Sequence, residues 1–112
     1  MTERKYFSIS VKHTAFRRWK FGKPCVLWGH NSTEDDERCF FGYTEYPNQA
    51  KLYSLEEWKN QECSEWIKTE PVKMCVDFCE KYKNYDTVLV DAETYLAYCL
   101  GANLPLNNPY CI

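Results

Sequence analysis

Residues 87–101, TVLVDAETYLAYCLG, combine a short apolar run with the start of a helix. The run Thr87–Val90 is β-branched or apolar throughout, which is typical of a buried strand. Asp91 follows it, and an aspartate here can cap a helix because its carboxylate accepts hydrogen bonds from N–H groups of the first turn. We therefore predict a strand over Thr87–Val90 and a helix over Ala92–Leu100 that Gly101 closes.

The first half of the chain carries strand patterns separated by turn signals. Residues 6–11 place apolar side chains on alternate positions, which predicts a half-buried first strand. A second strand is expected over 25–28 and a third over 38–44, with the polar residues 30–37 as the loop between them. Because a hairpin loop joins these two strands, we expect them to be antiparallel neighbours. Residues 50–53 can add a short edge strand.

Two helices are predicted between these strands and the C-terminal segment. The residues Ser54–Glu57 have the form of a capping box, so a helix is expected from Leu55 to about Trp66. Residues 69–71 can open a second helix, since proline is tolerated in a first turn, and Asn84 would end it. Apolar residues recur there at three- and four-residue steps: Val72, Cys75, Val76, Cys79 and Tyr82.

The expected order of elements indicates the fold class. Hairpin-linked strands come first and most helices come later, which favours an α+β fold. We predict a small antiparallel sheet of three to five strands, with two to three helices packed on one face. Residues 1–102 would form a single domain, and residues 103–112 an irregular C-terminal tail.

Composition limits the kind of protein this chain can be. It has 112 residues, of which 45% are hydrophobic and 27% charged, as in one compact domain. There is no apolar run of about 18 residues and no secretory signal pattern at the start, so we expect a cytoplasmic protein with no membrane partner. Seven cysteines without a close CxxC pair argue against a disulfide framework in that compartment.

Basic residues and aromatic residues are interleaved in residues 12–23, which we call the basic-aromatic segment. The first 25 residues contain seven basic and one acidic residue, whereas the rest contain seven basic and fifteen acidic ones. Cations that contact phosphates beside rings that stack on bases are typical of a single-stranded nucleic-acid or nucleotide-phosphate site. The net charge of −2 argues against this interpretation, and the rings could instead belong to the core. The candidate nucleic-acid-binding residues are Lys12, Arg17, Arg18, Trp19, Lys20 and Lys23.

Acidic residues beside tryptophans form the opposite kind of candidate, which we call the acidic-aromatic set. Carboxylates with aromatic anchors suit a basic groove on another protein, where they would stand in for phosphates. The leading hypothesis is therefore a non-enzymatic inhibitor or regulator of a bacterial protein, such as a nucleic-acid-binding host enzyme. The alternative is an ordinary solvated surface. The predicted partner-binding residues are Glu34, Asp35, Asp36, Glu37, Glu56, Glu57, Trp58, Glu62, Glu65 and Trp66.

The small size, acidity, abundant aromatic residues and cysteines resemble those of accessory proteins from bacteriophages and mobile elements. That group includes anti-CRISPR and other anti-defence inhibitors. The resemblance implies the cytoplasm of a bacterial host cell. It assigns no role to any residue, because those proteins share neither a common fold nor a common sequence.

Catalytic and metal-binding chemistry is the third class considered. Cys25, His30 and Cys39 lie near one another across the predicted hairpin and could bind zinc, with a fourth ligand from His13 or a distant cysteine. A cysteine with either histidine could also form a thiolate pair. The sequence contains no known catalytic or glycine-rich phosphate-binding motif. The cysteine and histidine positions leave a small Cys- or metal-dependent enzyme as an alternative. Because no known motif is present, our main expectation is a protein with no catalytic residues, cofactor or metal.

Overall fold

A computed structural model describes residues 4–29, 42–59 and 66–107. In this part of the chain the protein forms a mixed five-stranded sheet and four short α-helices, an α+β fold. The strands are β1 (Tyr6–Ser10), β2 (Leu27–Trp28), β3 (Tyr43–Thr44), β4 (Ile67–Val72) and β5 (Thr87–Asp91). The helices are α1 (Val11–Phe16), α2 (Leu55–Lys59), α3 (Phe78–Lys81) and α4 (Ala92–Gly101). None of these helices is long and apolar enough to cross a membrane.

The sheet has the strand order β3-β2-β1-β5-β4. Strand β1 is antiparallel to both β2 and β5, with Phe7 opposite Val90 and Ile9 opposite Val88. Strand β4 is parallel to β5, so the expectation of a purely antiparallel sheet is wrong. A parallel pair needs a long crossover connection, and the segment containing α3 supplies it between β4 and β5.

Strand β1 is buried on both faces, whereas the sequence predicted a half-buried strand. Ser8 and Ser10, on the supposed polar face, are as buried as Ile9. The strand also ends one residue early, because Ser10 caps α1, a helix that the sequence pattern did not indicate. Its hydroxyl accepts a hydrogen bond from the His13 N–H, and its carbonyl accepts one from the Thr14 hydroxyl.

The second and third strands are shorter than predicted within the described residues. Strand β2 covers only two of the four expected residues, and residues 38–41 of the expected third strand lie outside the described part. The antiparallel pairing of β2 with β3 is confirmed. Residues 50–53 form no regular edge strand, because only Tyr53 pairs with β1, in an isolated bridge to Tyr6.

The capping box at the start of α2 is confirmed. The Ser54 N–H donates to the Glu57 carboxylate at 2.9 Å, and the Glu57 N–H donates to the Ser54 hydroxyl at 3.3 Å. Helix α2 is described as far as Lys59, and residues 60–65 lie outside the described part. The sequence predicted that Trp66 would end this helix. Trp66 instead lies directly before β4.

The predicted helix from residues 69–71 to Asn84 is wrong. Residues 67–72 form strand β4, and only Phe78–Lys81 are helical. Apolar periodicity suggested a helix, but Ile67, Lys68 and Val72 pair with β5, with a register irregularity between Lys68 and Val72. Pro71 lies in this irregular part of the terminal strand of the described sheet, where the missing N–H costs least.

The C-terminal strand and helix are confirmed. The Asp91 carboxylate accepts hydrogen bonds from the Glu93 and Thr94 N–H groups at 3.0 and 3.4 Å. Helix α4 includes Gly101 rather than ending before it, because Asn103 takes the left-handed conformation (φ 57°) that closes the helix. Two residues of the predicted tail, Leu104 and Leu106, pack against the core.

The described helices contact both faces of the sheet. On one face Ile9 and Val88 pack with Phe78 of α3 and with Tyr95 and Cys99 of α4. Another core cluster contains Leu89, Tyr53 and Trp58 of α2. Successive side chains of a strand point to opposite faces, so Leu89 and Val88 lie on different sides of the sheet. The expected packing of helices on one face is not confirmed.

We predict a large loss of stability when Trp58 of α2 is replaced and a small one when Trp66, which directly precedes β4, is replaced. Replacing Trp58, which is 4% exposed, with alanine should lower the free energy of unfolding by about 3–5 kcal/mol, because it leaves a cavity. Trp66→Ala should change it by about 0.5 kcal/mol or less, since half of that side chain is exposed. Urea denaturation of both variants tests this, and similar losses for the two would contradict the assignment of Trp58 to the core.

Candidate nucleic-acid interface

Two phenylalanines of the basic-aromatic segment lie at the surface instead of in the core. Phe16 is 89% exposed and Phe21 is 50% exposed. The five cations predicted for this segment, Lys12, Arg17, Arg18, Lys20 and Lys23, are all exposed. The alternative interpretation, in which the rings fill the core, is therefore wrong for these two phenylalanines. The segment presents uncovered apolar rings among positive charges.

Trp19 has a structural position in this segment. Its ring is partly buried, and its centroid lies 5.8 Å from that of Phe78 in α3. Its indole N–H donates to the Lys23 carbonyl at 2.9 Å. Trp19 therefore anchors the segment to the fold, and its ring is not available for stacking in the way that the sequence predicted.

The loop after α1 is held in place by hydrogen bonds to α4. Arg18 takes a left-handed conformation (φ 54°), which ends the helix. The Tyr98 hydroxyl accepts a hydrogen bond from the Gly22 N–H at 2.9 Å and donates one to the Lys23 carbonyl at 2.6 Å. The Phe21 ring packs edge-on against the Tyr98 ring. These contacts fix the backbone between Lys20 and Lys23, so the exposed side chains extend from a fixed position.

An aromatic row that the sequence analysis missed adjoins the segment. The His13 and Tyr43 ring centroids are 4.2 Å apart, and those of Tyr43 and Trp28 are 4.5 Å apart. The Ser10 hydroxyl oxygen lies 2.7 Å from Nδ1 of His13, which orients the imidazole. No local pattern could have indicated this row, because sheet pairing and α1 bring its members together from separate parts of the chain.

Two cavities flank the contact between His13 and Tyr43. One, of about 320 Å³, is lined among the described residues by Lys12, His13 and Phe16. The other, of about 310 Å³, lies between the end of α1 and the region of β3, and we call it the α1–β3 cleft. Its described lining residues are Arg17, Val26, Tyr43, Thr44, Glu45, Tyr46 and Gln49.

The cations of the segment differ in their electrostatic partners. Lys12 forms an ion pair with Asp86 at 3.0 Å, and Arg17 forms one with Glu45. Exposed ion pairs of this kind contribute about 0–1 kcal/mol, so a phosphate group can compete for the cations. The remaining three, Arg18, Lys20 and Lys23, form no ion pair with any other residue that the structure describes.

The acidic-aromatic set is only partly described. Glu34, Asp35, Asp36, Glu37, Glu62 and Glu65 lie outside the described residues. Trp58 is buried in the core, so it lacks the exposure that its predicted role as a partner-binding anchor requires. Glu57 belongs to the capping box and also accepts a hydrogen bond from Arg4 at 3.2 Å. Glu56 and Trp66 are exposed.

Two of the described cysteines lie in the core, and two others, Cys75 and Cys79, are partly buried against it. Cys25 and Cys99 are buried, and the Cys25 N–H donates to the Tyr95 hydroxyl at 3.0 Å. Burial raises the pKa of both thiols and raises the pKa of Cys79 to about 11. A protonated thiol is a poor nucleophile, so these sites disfavour cysteine catalysis. His30 and Cys39 of the possible zinc site lie outside the described residues.

No group of three or more His, Cys, Asp or Glu side chains that could hold a metal ion occurs in residues 4–29, 42–59 and 66–107.

No protein-family model, curated protein or solved structure matches the chain.

We predict that Cys25, Cys79 and Cys99 of the folded protein resist alkylation at pH 8. With a pKa of about 11, only about one Cys79 thiol in a thousand is ionised at that pH, and Cys25 and Cys99 are also sterically shielded. Iodoacetamide treatment followed by peptide mass spectrometry should show little modification at these three positions. The same treatment in urea, as the control, should modify all three. Rapid modification of native Cys25 would contradict its placement in the core.

Proposed function

We propose that this protein binds single-stranded nucleic acid through the basic-aromatic segment and the adjoining His13–Tyr43 pair. The observation that carries the proposal is the exposure of Phe16 and Phe21 between the cations of one short segment. Phe16 is almost fully exposed and contributes little to the core, whereas Phe21 is half exposed and rests on Tyr98. Stacking a base on such a ring contributes about 1–3 kcal/mol, whichever base it is.

Charge distribution supports the same proposal despite the net charge of −2. Affinity for a phosphate backbone depends on cations at the contact surface, and most of the acidic residues come after residue 25. Arg18, Lys20 and Lys23 can contact phosphates directly, since they form no ion pair within the described part of the chain. Lys12 can exchange its carboxylate partner, Asp86, for a phosphate.

A single strand fits this surface better than a duplex. The surface offers ring faces, and base faces are accessible only where bases are unstacked and unpaired. Helix α1 has six residues, which is too short to place several side chains along a major groove. The His13–Tyr43 pair extends the aromatic surface beyond Phe16.

We predict that Phe16→Ala weakens binding to single-stranded DNA about tenfold or more, because one stacking platform is lost. Fluorescence anisotropy with a labelled oligothymidylate of about twelve nucleotides measures the affinity. Leu100→Ala is the matched control. Leu100 is also apolar and exposed, but it lies on α4, outside the segment. The affinity of the unmodified protein should also fall steeply as salt increases.

Two results would contradict the proposal. One is the absence of binding to single-stranded DNA and RNA at low salt. The other is an equal loss of affinity for Phe16→Ala and Leu100→Ala, which would mean that no specific ring contact exists.

The second candidate function is the non-enzymatic inhibitor or regulator of a bacterial protein, as in anti-defence proteins. The half-exposed Trp66 and the exposed Glu56 favour it, because tryptophan is enriched among the residues that contribute most to protein-binding energy and an exposed carboxylate can meet a basic surface. Burial of Trp58 and the use of Glu57 in a cap reduce the number of described residues that support it.

For this second candidate we expect a protein partner that tagged protein captures from bacterial lysate after nuclease treatment and loses at high salt. Replacing Glu34, Asp35, Asp36 and Glu37 with lysine should abolish the capture, because the charges that meet the basic groove are reversed. Asp77→Lys and Glu80→Lys together make a control of the same sign elsewhere on the surface. Capture that nuclease removes would instead support the nucleic-acid proposal.

A further inference from the structure

The α1–β3 cleft has the dimensions and lining of a site for one small planar group. Its volume of about 310 Å³ is at the lower end of the range for small-molecule sites, about 300–1,000 Å³. A site of this size accommodates a single nucleobase more readily than two stacked ones. Tyr46 supplies a partly buried aromatic ring to its wall.

The cleft places a hydrogen-bond donor and an acceptor side by side. One guanidinium nitrogen of Arg17 contacts one carboxylate oxygen of Glu45. A guanidinium carries five N–H donors and a carboxylate has two oxygens, so each group keeps capacity for further hydrogen bonds. The Arg17 side chain is more than half exposed, whereas Glu45 is more enclosed. A ligand can therefore approach the pair from solvent.

The turn that carries Glu45 is held in shape by its neighbours. The Thr44 hydroxyl accepts a hydrogen bond from the Tyr46 N–H at 3.1 Å and donates one to the Gln49 side-chain oxygen at 3.3 Å. On the other side Tyr43 packs between His13 and Trp28. A ligand group in the cleft would meet walls that are already ordered, which lowers the entropic cost of binding.

Guanine complements this pair better than the other bases. Its Watson–Crick edge presents adjacent N1–H and N2–H₂ donors, which match the two oxygens of a carboxylate. Its O6 and N7 atoms are acceptors for a guanidinium. Adenine and cytosine each present one amino group at that edge, and thymine presents one N–H.

We propose that the α1–β3 cleft binds one guanine base of the strand. In this arrangement Glu45 accepts hydrogen bonds from N1–H and N2–H₂, Arg17 donates to O6 or N7, and the Tyr46 ring packs on the base. The inference rests on the proposed function, because the cleft adjoins the basic-aromatic segment through Arg17. It adds base selectivity to a surface that otherwise binds strands irrespective of sequence.

The test compares three labelled DNA strands of about nine nucleotides by fluorescence anisotropy. One contains only thymine, the second has a central guanine, and the third has hypoxanthine in place of that guanine. The strand with guanine should bind about tenfold more tightly than the thymine strand. Hypoxanthine lacks the exocyclic amino group, so it should lose most of this preference.

The variant Glu45→Gln should reduce the ratio of the two affinities, guanine strand to thymine strand, to about twofold or less, because it loses the paired acceptors. Glu93→Gln on α4 is the control for the change of charge, and it should leave the ratio unchanged. A thermal unfolding curve for each variant checks that the fold is intact. The hypoxanthine comparison needs no variant, so it remains decisive even if a substitution disturbs the fold.

The outcomes separate this inference from the function on which it rests. If the thymine strand binds but guanine adds no affinity, the cleft proposal is overturned and the nucleic-acid proposal stands. If hypoxanthine binds as well as guanine, the assigned contact to Glu45 is overturned. If none of the three strands binds, both proposals are overturned.

Discussion

The antiparallel pairing of β1 with β5 is the contact on which the other elements depend. All five residues of β1 pair with β5, and both strands lie inside the five-stranded sheet. Ile9, Val88, Leu89 and Val90 are completely buried. The pair carries helices on both sides, since Val88 and Leu89 belong to different core clusters. A polar substitution in this pair would therefore disturb both halves of the core.

The candidate interface is built directly on this central pair. Helix α1 follows β1 without a loop, because Ser10 is both the last residue of the strand and the cap of the helix. The same serine holds His13 against Tyr43 of β3, so the sheet determines where the exposed rings lie. Attachment to a rigid sheet favours binding, because side chains that are already ordered lose less entropy when a ligand binds.

Charge pairing inside the fold gives the surface two kinds of cation. Arg17 contacts Glu45. The carboxylate partly neutralises the charge of the guanidinium, and the contact places a donor beside an acceptor. Arg18 and Lys20 have no such partner among the described residues. In the proposed binding mode, the cations without partners would contact the uniform backbone of a strand, and the paired donor and acceptor would contact the edge of one particular base. Affinity and selectivity would thus come from neighbouring parts of one surface.

Local chemistry in the sequence determined the capping box at Ser54, the cap at Asp91 and the buried run Thr87–Val90, because these features depend on residues within a few positions of one another. The same was true of the interleaving of cations and aromatic rings in residues 12–23. Only the tertiary structure decided that residues 67–72 form a strand, since pairing with β5 outweighed a helical apolar pattern. It also decided that Trp58 is buried while Phe16 is exposed. Burial depends on which distant elements pack together, and the order of residues along the chain does not contain that information locally.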